Sequence, residues 1–195
     1  TGYAEGGPLH GRAAYDDVIQ AQTGLAELFA RQTGGAPQYV PTLIADRVTG
    51  LTAAHATIAA LFARKSTGRG DTVRVSMFET MAAFVLADHL GGASFEPSAG
   101  AMGYSRLLTP HRKPYRTRDG YIAAVVYNDK HWKSFFEAID DLATFERDSR
   151  FQTAPARAEN YDVIYGHLSQ VMLTRTTDAW VALLEAADIP CARVN

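Results

Sequence analysis

Residues Pro41 to Met77 read PTLIADRVTGLTAAHATIAALFARKSTGRGDTVRVSM, and the order of features within them decides the fold class. The run Thr42-Leu43-Ile44-Ala45 is short, apolar and preceded by Pro41, which suits a buried extended segment leading into a helix. Beyond it Val48, Leu51, His55, Ile58 and Phe62 recur at spacings of three and four, with Leu61 beside them, so one packed helical stripe is expected. A glycine-rich turn and a strand over Thr72 to Met77 follow. Extended run, helix and strand in succession indicate an α/β arrangement.

Asp46 falls where the apolar run meets the helix. Free backbone N–H groups and the positive end of the helix dipole favour an anion at that place. A carboxylate there is either a structural N-cap or, if presented to a substrate, a nucleophile that forms a covalent intermediate.

Working outward, Tyr15, Val18, Gln22, Leu25 and Phe29 form a helical stripe, which gives Tyr15 a core-packing role. Ser76-Met77-Phe78-Glu79 has the form of a capping box and starts another helix. The stretch 91–111, with Pro97, Gly100 and Gly103, reads as a linker. It separates residues 1–90 from a smaller α+β part at 112–195. That second part opens with a hairpin, Arg112 to Thr117 and Tyr121 to Tyr127, turned at Asp119-Gly120. Trp132, Phe135, Phe136 and Ile139 mark one amphipathic helix, and Tyr161, Ile164, Tyr165, Leu168 and Met172 mark another. A shorter helix around Trp180 to Leu184 takes Thr177 as its cap.

Composition narrows the function classes. At 195 residues and 47% hydrophobic, the chain can bury one sizeable core or two small ones. A formal charge of −2 argues against a general nucleic-acid binder. Arg112, Lys113, Arg116 and Arg118 are the one basic cluster, either a solvated hairpin face or an attractor of phosphates. With a single cysteine, Cys191, no intramolecular disulfide framework can form, and a reducing, cytoplasmic setting is expected. No apolar run reaches membrane-spanning length, no segment has signal-peptide form, and the six histidines show no metal-ligand spacing, so neither a membrane role nor a metal is expected.

Five blocks in order carry a resemblance: GYAEGGP (Gly2 to Pro8), AYDDVIQAQTGL (Ala14 to Leu25), IADRVTGL (Ile44 to Leu51), TGRGDTVRVSM (Thr67 to Met77) and RKPYRTRDGYI (Arg112 to Ile122). Together they resemble the family III coenzyme A transferases, over essentially the whole chain. The resemblance implies a Rossmann-like large domain, of which residues 1–90 are the central part, joined through the linker to a small domain that is incomplete at its C-terminus. It implies that Asp46 attacks an acyl-CoA thioester, is acylated, and passes CoA to a carboxylic acid acceptor by way of anhydride and thioester intermediates. CoA is thus expected as substrate, with no tightly bound cofactor. Met77, Tyr15 and Arg12 are the positions that the resemblance places near CoA, and Gly100 to Gly103 is a candidate for the family's mobile glycine-rich loop. A homodimer of interlocked chains is implied as well.

The α-methylacyl-CoA racemases resemble these proteins but carry a histidine at the position of Tyr15. A tyrosine, with a pKa of about 10, is a poor second base for proton exchange at neutral pH, which favours transferase over racemase. His10 and His55 are distant alternatives, and His55 reads as a packed helix residue. Racemase-like chemistry and a non-catalytic CoA-binding or interaction role are the competing expectations. Ala4, Glu5, Asp71 and Arg193 depart from the family pattern, and the chain is expected to lack the family's N-terminal nucleotide-binding portion and C-terminal return segment.

Overall fold

Four helices build the first of two units, Thr1–Tyr104, in a computed structural model that describes residues 1–195. They are α1 (Asp16–Gln22), α2 (Leu25–Thr33), α3 (Ile44–Thr67) and α4 (Met77–His89). Helix α3 packs against both α1 and α4, and the core gathers Tyr3, Ile19, Ala45, Met81 and Val85, with Met77, Phe78, Ile44 and Val48 against them.

Local chemistry departs from the sequence pattern in five places here. The stripe from Tyr15 to Phe29 is broken: α1 ends at Gln22, and Gly24, at φ 81°, turns the chain in a conformation that a β-carbon disfavours. Tyr15 is the N-cap of α1 and is 79% exposed, so it does not pack in the core; the buried face of α1 is Asp16, Ile19 and Gln20. The run Thr42 to Ala45 is not an extended buried segment. Thr42 and Leu43 are exposed, and the helix already begins at Ile44, with only Ala45 fully buried.

The apolar stripe of α3 is largely unpacked: Leu51, Ile58 and Phe62 are 63%, 64% and 73% exposed, and His55 is exposed too. The half-buried positions are Ile44, Val48 and Thr49 near its start and Thr52, Ala53, Ala56 and Ala60 beyond. Ile44 and Val48 thus join the core at the start of the helix, and further along small side chains on the inner face let another helix approach closely.

The strand expected over Thr72 to Met77 does not form. A strand needs a neighbouring ladder, and this segment has only the chain's first residues beside it: the Thr1 amine donates to Val75 O (3.0 Å), and the Met77 and Phe78 N–H groups donate to Thr1 O and Gly2 O (both 3.0 Å). The first unit therefore contains no strand. Helix α4 does take Ser76 as its N-cap residue, but Ser76 makes no side-chain bond to the helix backbone. Its hydroxyl instead bonds the Glu79 carboxylate, which also accepts from Ala4 N–H (3.2 Å). Partial burial opposes the charge on Glu79, yet these hydrogen bonds outweigh it and hold the carboxyl below its usual value.

Residues 91–104 fold back on the end of α4. The Gly103 N–H donates to His89 O (2.7 Å), and the Tyr104 N–H to His89 Nδ1 (3.3 Å). Gly92 makes the fold-back possible, because a β-carbon there would lie 2.3 Å from the Gly100 backbone.

The second unit, Ser105–Asn195, opens with the single turn α5 (Ser105–Leu108) and continues with β1 (Tyr115–Arg116) and β2 (Tyr121–Ala124). Then come α6 (Asp129–Ala138), α7 (Leu142–Arg147), α8 (Ala154–Ala158), α9 (Tyr161–Met172), α10 (Thr177–Ala186) and β3 (Cys191–Arg193). The sheet is antiparallel in the order β1-β2-β3, with Tyr115 opposite Ile122 and Ala123 opposite Ala192. Strand β3 is too short to carry a legible alternation in the sequence.

The hairpin is shorter than the sequence suggests, and its connection is the four-residue stretch Thr117 to Gly120, closed by Thr117 N–H to Gly120 O (2.9 Å). Asp119 is not a free turn residue: its Oδ1 accepts from the Thr177 N–H (2.7 Å) and hydroxyl (2.9 Å), and from the Thr117 hydroxyl (3.2 Å). Thr177 is the first helical residue, and the cap is Thr176, whose Oγ1 accepts from Ala179 N–H (3.3 Å). Of the aromatics expected in the core of this unit, Trp132, Phe135, Phe136, Tyr165 and Trp180 are buried and Tyr161 is partly so, and Phe151 joins them. Trp132, Phe135, Phe136, Phe151 and Trp180 pack with Ile122, Leu168, Met172 and Leu184, and the Trp180 indole donates to Met172 O (2.8 Å). Mixed α/β content thus comes from ten helices and one small antiparallel sheet.

Candidate active site

Asp46 occupies the third position of α3, inside the first turn and past the N-cap, so it is not the structural cap. Its side chain is exposed and borders an open depression of about 510 Å³ lined by Leu43, Arg47, Gly50 and Leu51. The N-cap, Leu43, has no side chain able to bond the helix backbone, which leaves the first N–H groups of α3 to find acceptors elsewhere.

The acceptor comes from another helix. Asp16, 4% exposed at the start of α1, points Oδ1 at the Asp46 N–H (3.0 Å), while its Oδ2 accepts from Gln20 Nε2 (2.6 Å). Gln20 is fully buried and uses its remaining oxygen to accept from Val40 N–H (2.9 Å). Every heavy polar atom of this buried pair is thus engaged, and the pair ties α1 both to the approach of α3 and to the backbone of Asp46. Burying a carboxylate and an amide is tolerable only under such full satisfaction. Asp16 and Gln20 were missed as site residues in the sequence, where their only signal is a polar pair at i and i+4 on the face of a short helix that also carries Ile19.

The other candidates are distributed as follows. Tyr15 precedes Asp16 and is exposed. Met77 begins α4 and is partly buried against the cluster that contains Ala45, the neighbour of Asp46. Tyr15, Asp46 and Met77 therefore all stand at N-terminal ends of helices that pack together. Arg12 lies exposed in the loop before α1, and the structure does not tie its side chain to the other three. The basic cluster Arg112, Lys113, Arg116 and Arg118 is exposed on the second unit, and Arg112 and Lys113 border a pocket of about 260 Å³ with Tyr115 and Tyr165. No helix is long and apolar enough to cross a membrane.

The sequence signature of CoA-transferase family III spans residues 1–195, and the chain belongs to that family. A protein of Mycobacterium tuberculosis named as a probable fatty acyl-CoA transferase is 30% identical over 95% of this chain and 49% of its own length. Human succinyl-CoA:glutarate CoA-transferase is 27% identical over all of this chain and 44% of its own. Among solved structures, that of a hypothetical protein from Mycobacterium tuberculosis superposes with a TM-score of 0.80 at 28% identity, covering the whole of this chain and 51% of the other. The chain spans about half the length of the relatives it matches.

Proposed function

We propose that this chain carries the nucleophile of an enzyme that moves coenzyme A from an acyl-CoA to a carboxylic acid, and that the nucleophile is Asp46. The observation that carries this reading is an exposed carboxylate in the first turn of α3, with its backbone held by a buried carboxylate from α1, in a chain of CoA-transferase family III. A carboxylate oxygen of Asp46 attacks the thioester carbonyl. The C–S bond breaks, CoA leaves as thiolate, and an aspartyl-acyl anhydride remains. The thiolate attacks the aspartyl carbonyl, releasing the donor acid and forming an aspartyl-CoA thioester. The acceptor carboxylate displaces the thiolate to give a second anhydride, which the thiolate reopens at the acceptor acyl carbon, regenerating Asp46. Each step exchanges one activated acyl bond for another, so excluding water preserves the activation.

Tyr15 and Arg12, both exposed, and Met77 are assigned to CoA binding on this reading. Residues 1–90 belong to a Rossmann-like large domain, joined through a linker at 91–111 to a small domain at 112–195. The active protein is a cytoplasmic homodimer with CoA as substrate and no resident cofactor. The partly buried Cys191, whose thiol burial pushes up, plays no part. The test is peptide mass spectrometry after incubation with acyl-CoA esters and trapping with borohydride or hydroxylamine. A modification confined to the Asp46 peptide and absent from Asp46→Asn is expected; an unmodified Asp46 peptide in turning-over enzyme would refute the reading.

A further inference from the structure

We propose that Asp16 and Gln20 are positioning residues for Asp46: the buried Asp16 carboxylate, oriented by Gln20, serves as the N-terminal cap of α3 from a different helix and thereby sets the place and direction of the Asp46 side chain. The inference rests on Asp46 being the nucleophile and adds what holds it.

Three observations carry it. The N-cap residue of α3 makes no side-chain bond, so the helix end has no local anchor. The Asp16 Oδ1 bond to the Asp46 N–H (3.0 Å) is made to the backbone of the reacting residue itself, so any shift of Asp16 moves the carbon that bears the Asp46 carboxylate. Gln20 is fixed at both ends, donating to Asp16 Oδ2 (2.6 Å) and accepting from Val40 N–H (2.9 Å), so the network also fixes the loop that delivers the chain into α3. Asp16 has its negative charge placed at the positive end of α3, where the dipole favours it. Its neighbours on α1 are Tyr15, exposed, and Ile19, in the core, so Asp16 links the exposed end of the helix to the packed interior.

The chemical consequence is precision of attack. An anhydride-forming step requires the carboxylate oxygen on line with the thioester carbonyl, and displacement of such a group by about 1 Å costs on the order of a hundredfold in rate. Asp16 does not touch the acyl group, and its effect is expected in the rate of acylation rather than in affinity for the thioester.

The experiment uses the intact protein with Asp16→Ala, Asp16→Asn and Gln20→Ala. Single-turnover labelling of Asp46 by a chosen acyl-CoA is measured beside the binding of that ester, with hydrogen exchange of the peptide spanning residues 42–48. Asp16→Ala is expected to slow labelling by about tenfold to a hundredfold while ester affinity changes by less than about threefold. Exchange at residues 42–48 should rise and that of α4 should not. Asp16→Asn, which keeps a carbonyl acceptor for the Asp46 N–H, is expected to recover part of the lost rate, and Gln20→Ala to fall between. Folded Asp16→Ala enzyme with unchanged labelling, or with unchanged exchange at 42–48, overturns the proposal. Loss of rate and affinity in equal measure overturns it as well. If wild-type enzyme turns over with no label on Asp46, the nucleophile assignment fails. The exchange arm then still decides by itself whether Asp16 anchors α3.

Discussion

Asp46 and Asp16 show how two residues of one type, thirty positions apart, divide the labour that a single N-terminal aspartate is usually given. The inner one is buried and bonded, and satisfies an N–H at the helix end; the outer one is exposed and, on the function proposed above, is the nucleophile. That division makes the substitution Asp46→Asn a clean one. It removes the carboxylate proposed as nucleophile but not the bond from Asp16, so on that proposal transfer is expected to fall by about three orders of magnitude or more. Thermal unfolding should stay close to wild type, because the Asp46 N–H that Asp16 binds belongs to the backbone. Steady-state kinetics beside a melting curve checks both, and retained turnover in the variant would remove the assignment.

At the scale of elements, the second unit holds its hairpin to α10 through one carboxylate. Hydrogen bonds from the Thr177 backbone and hydroxyl, with the Thr117 hydroxyl adding to them, bring Asp119 below its ordinary value. A carboxyl depressed by folding stabilises fully above its unfolded value and loses that contribution as pH falls through its folded value. Asp119→Ala is therefore expected to lower the melting temperature by a constant amount above about pH 5, and the gap to wild type should close below about pH 4. A gap independent of pH would refute this account.

His167 on α9 has the opposite chemistry. Burial among Phe136 and Phe151 lowers its pKa, and the opposing pull of Asp141 and Asp148 is weaker. Its Nε2 has no partner. Because the unfolded chain takes up the proton first, stability declines as pH falls from about 6.5 toward the lowered folded value and then levels off. His167→Phe, which keeps a ring beside Phe136, should flatten the melting temperature between about pH 5 and 7. An unchanged slope would show that other groups set it.

The whole molecule consists of two cores of unlike strength. The second is centred on Phe136, which is fully buried and whose ring lies 4.9 Å from Phe151, 5.5 Å from His167, 5.7 Å from Phe135 and 5.8 Å from Phe145. Phe136→Ala would empty the centre of that cluster and is expected to cost about 3–5 kcal/mol. For a unit of this size each kcal/mol lowers the melting temperature by roughly 4–8 °C. Denaturant titration that follows the indole fluorescence of Trp132 and Trp180 reads that loss, since both lie in this unit. The first core is thinner, with five buried apolar residues and a ring of partly buried ones, and α3 leaves Leu51, Ile58, Leu61 and Phe62 in solvent. Exposure of that kind is uncommon on a self-sufficient surface.

What the sequence determined by itself is what depends on neighbours close along the chain. Trp132, Phe135 and Phe136, or Ile164, Leu168 and Met172, at helical spacing bury one face of their helices, as read. The blocks around Gly2, Ala14, Ile44, Thr67 and Arg112 were enough to reach the family. Tertiary structure decided everything that needs a partner from afar. Thr72 to Met77 has strand-like composition but no adjacent ladder, so it stays unpaired except to Thr1 and Gly2. Leu51, Ile58 and Phe62 form a stripe of the correct period, yet a stripe specifies a face and not what lies against it, and beyond Val48 it is the small residues of α3 that turn inward. Asp16 reads as an ordinary first-turn acid on its own helix, and only the crossing of α1 and α3 puts its oxygen on the Asp46 N–H. Periodicity is a local property and hydrogen-bond partnership across thirty residues is not, which is why the candidate nucleophile was legible in the sequence and the residues that hold it were not.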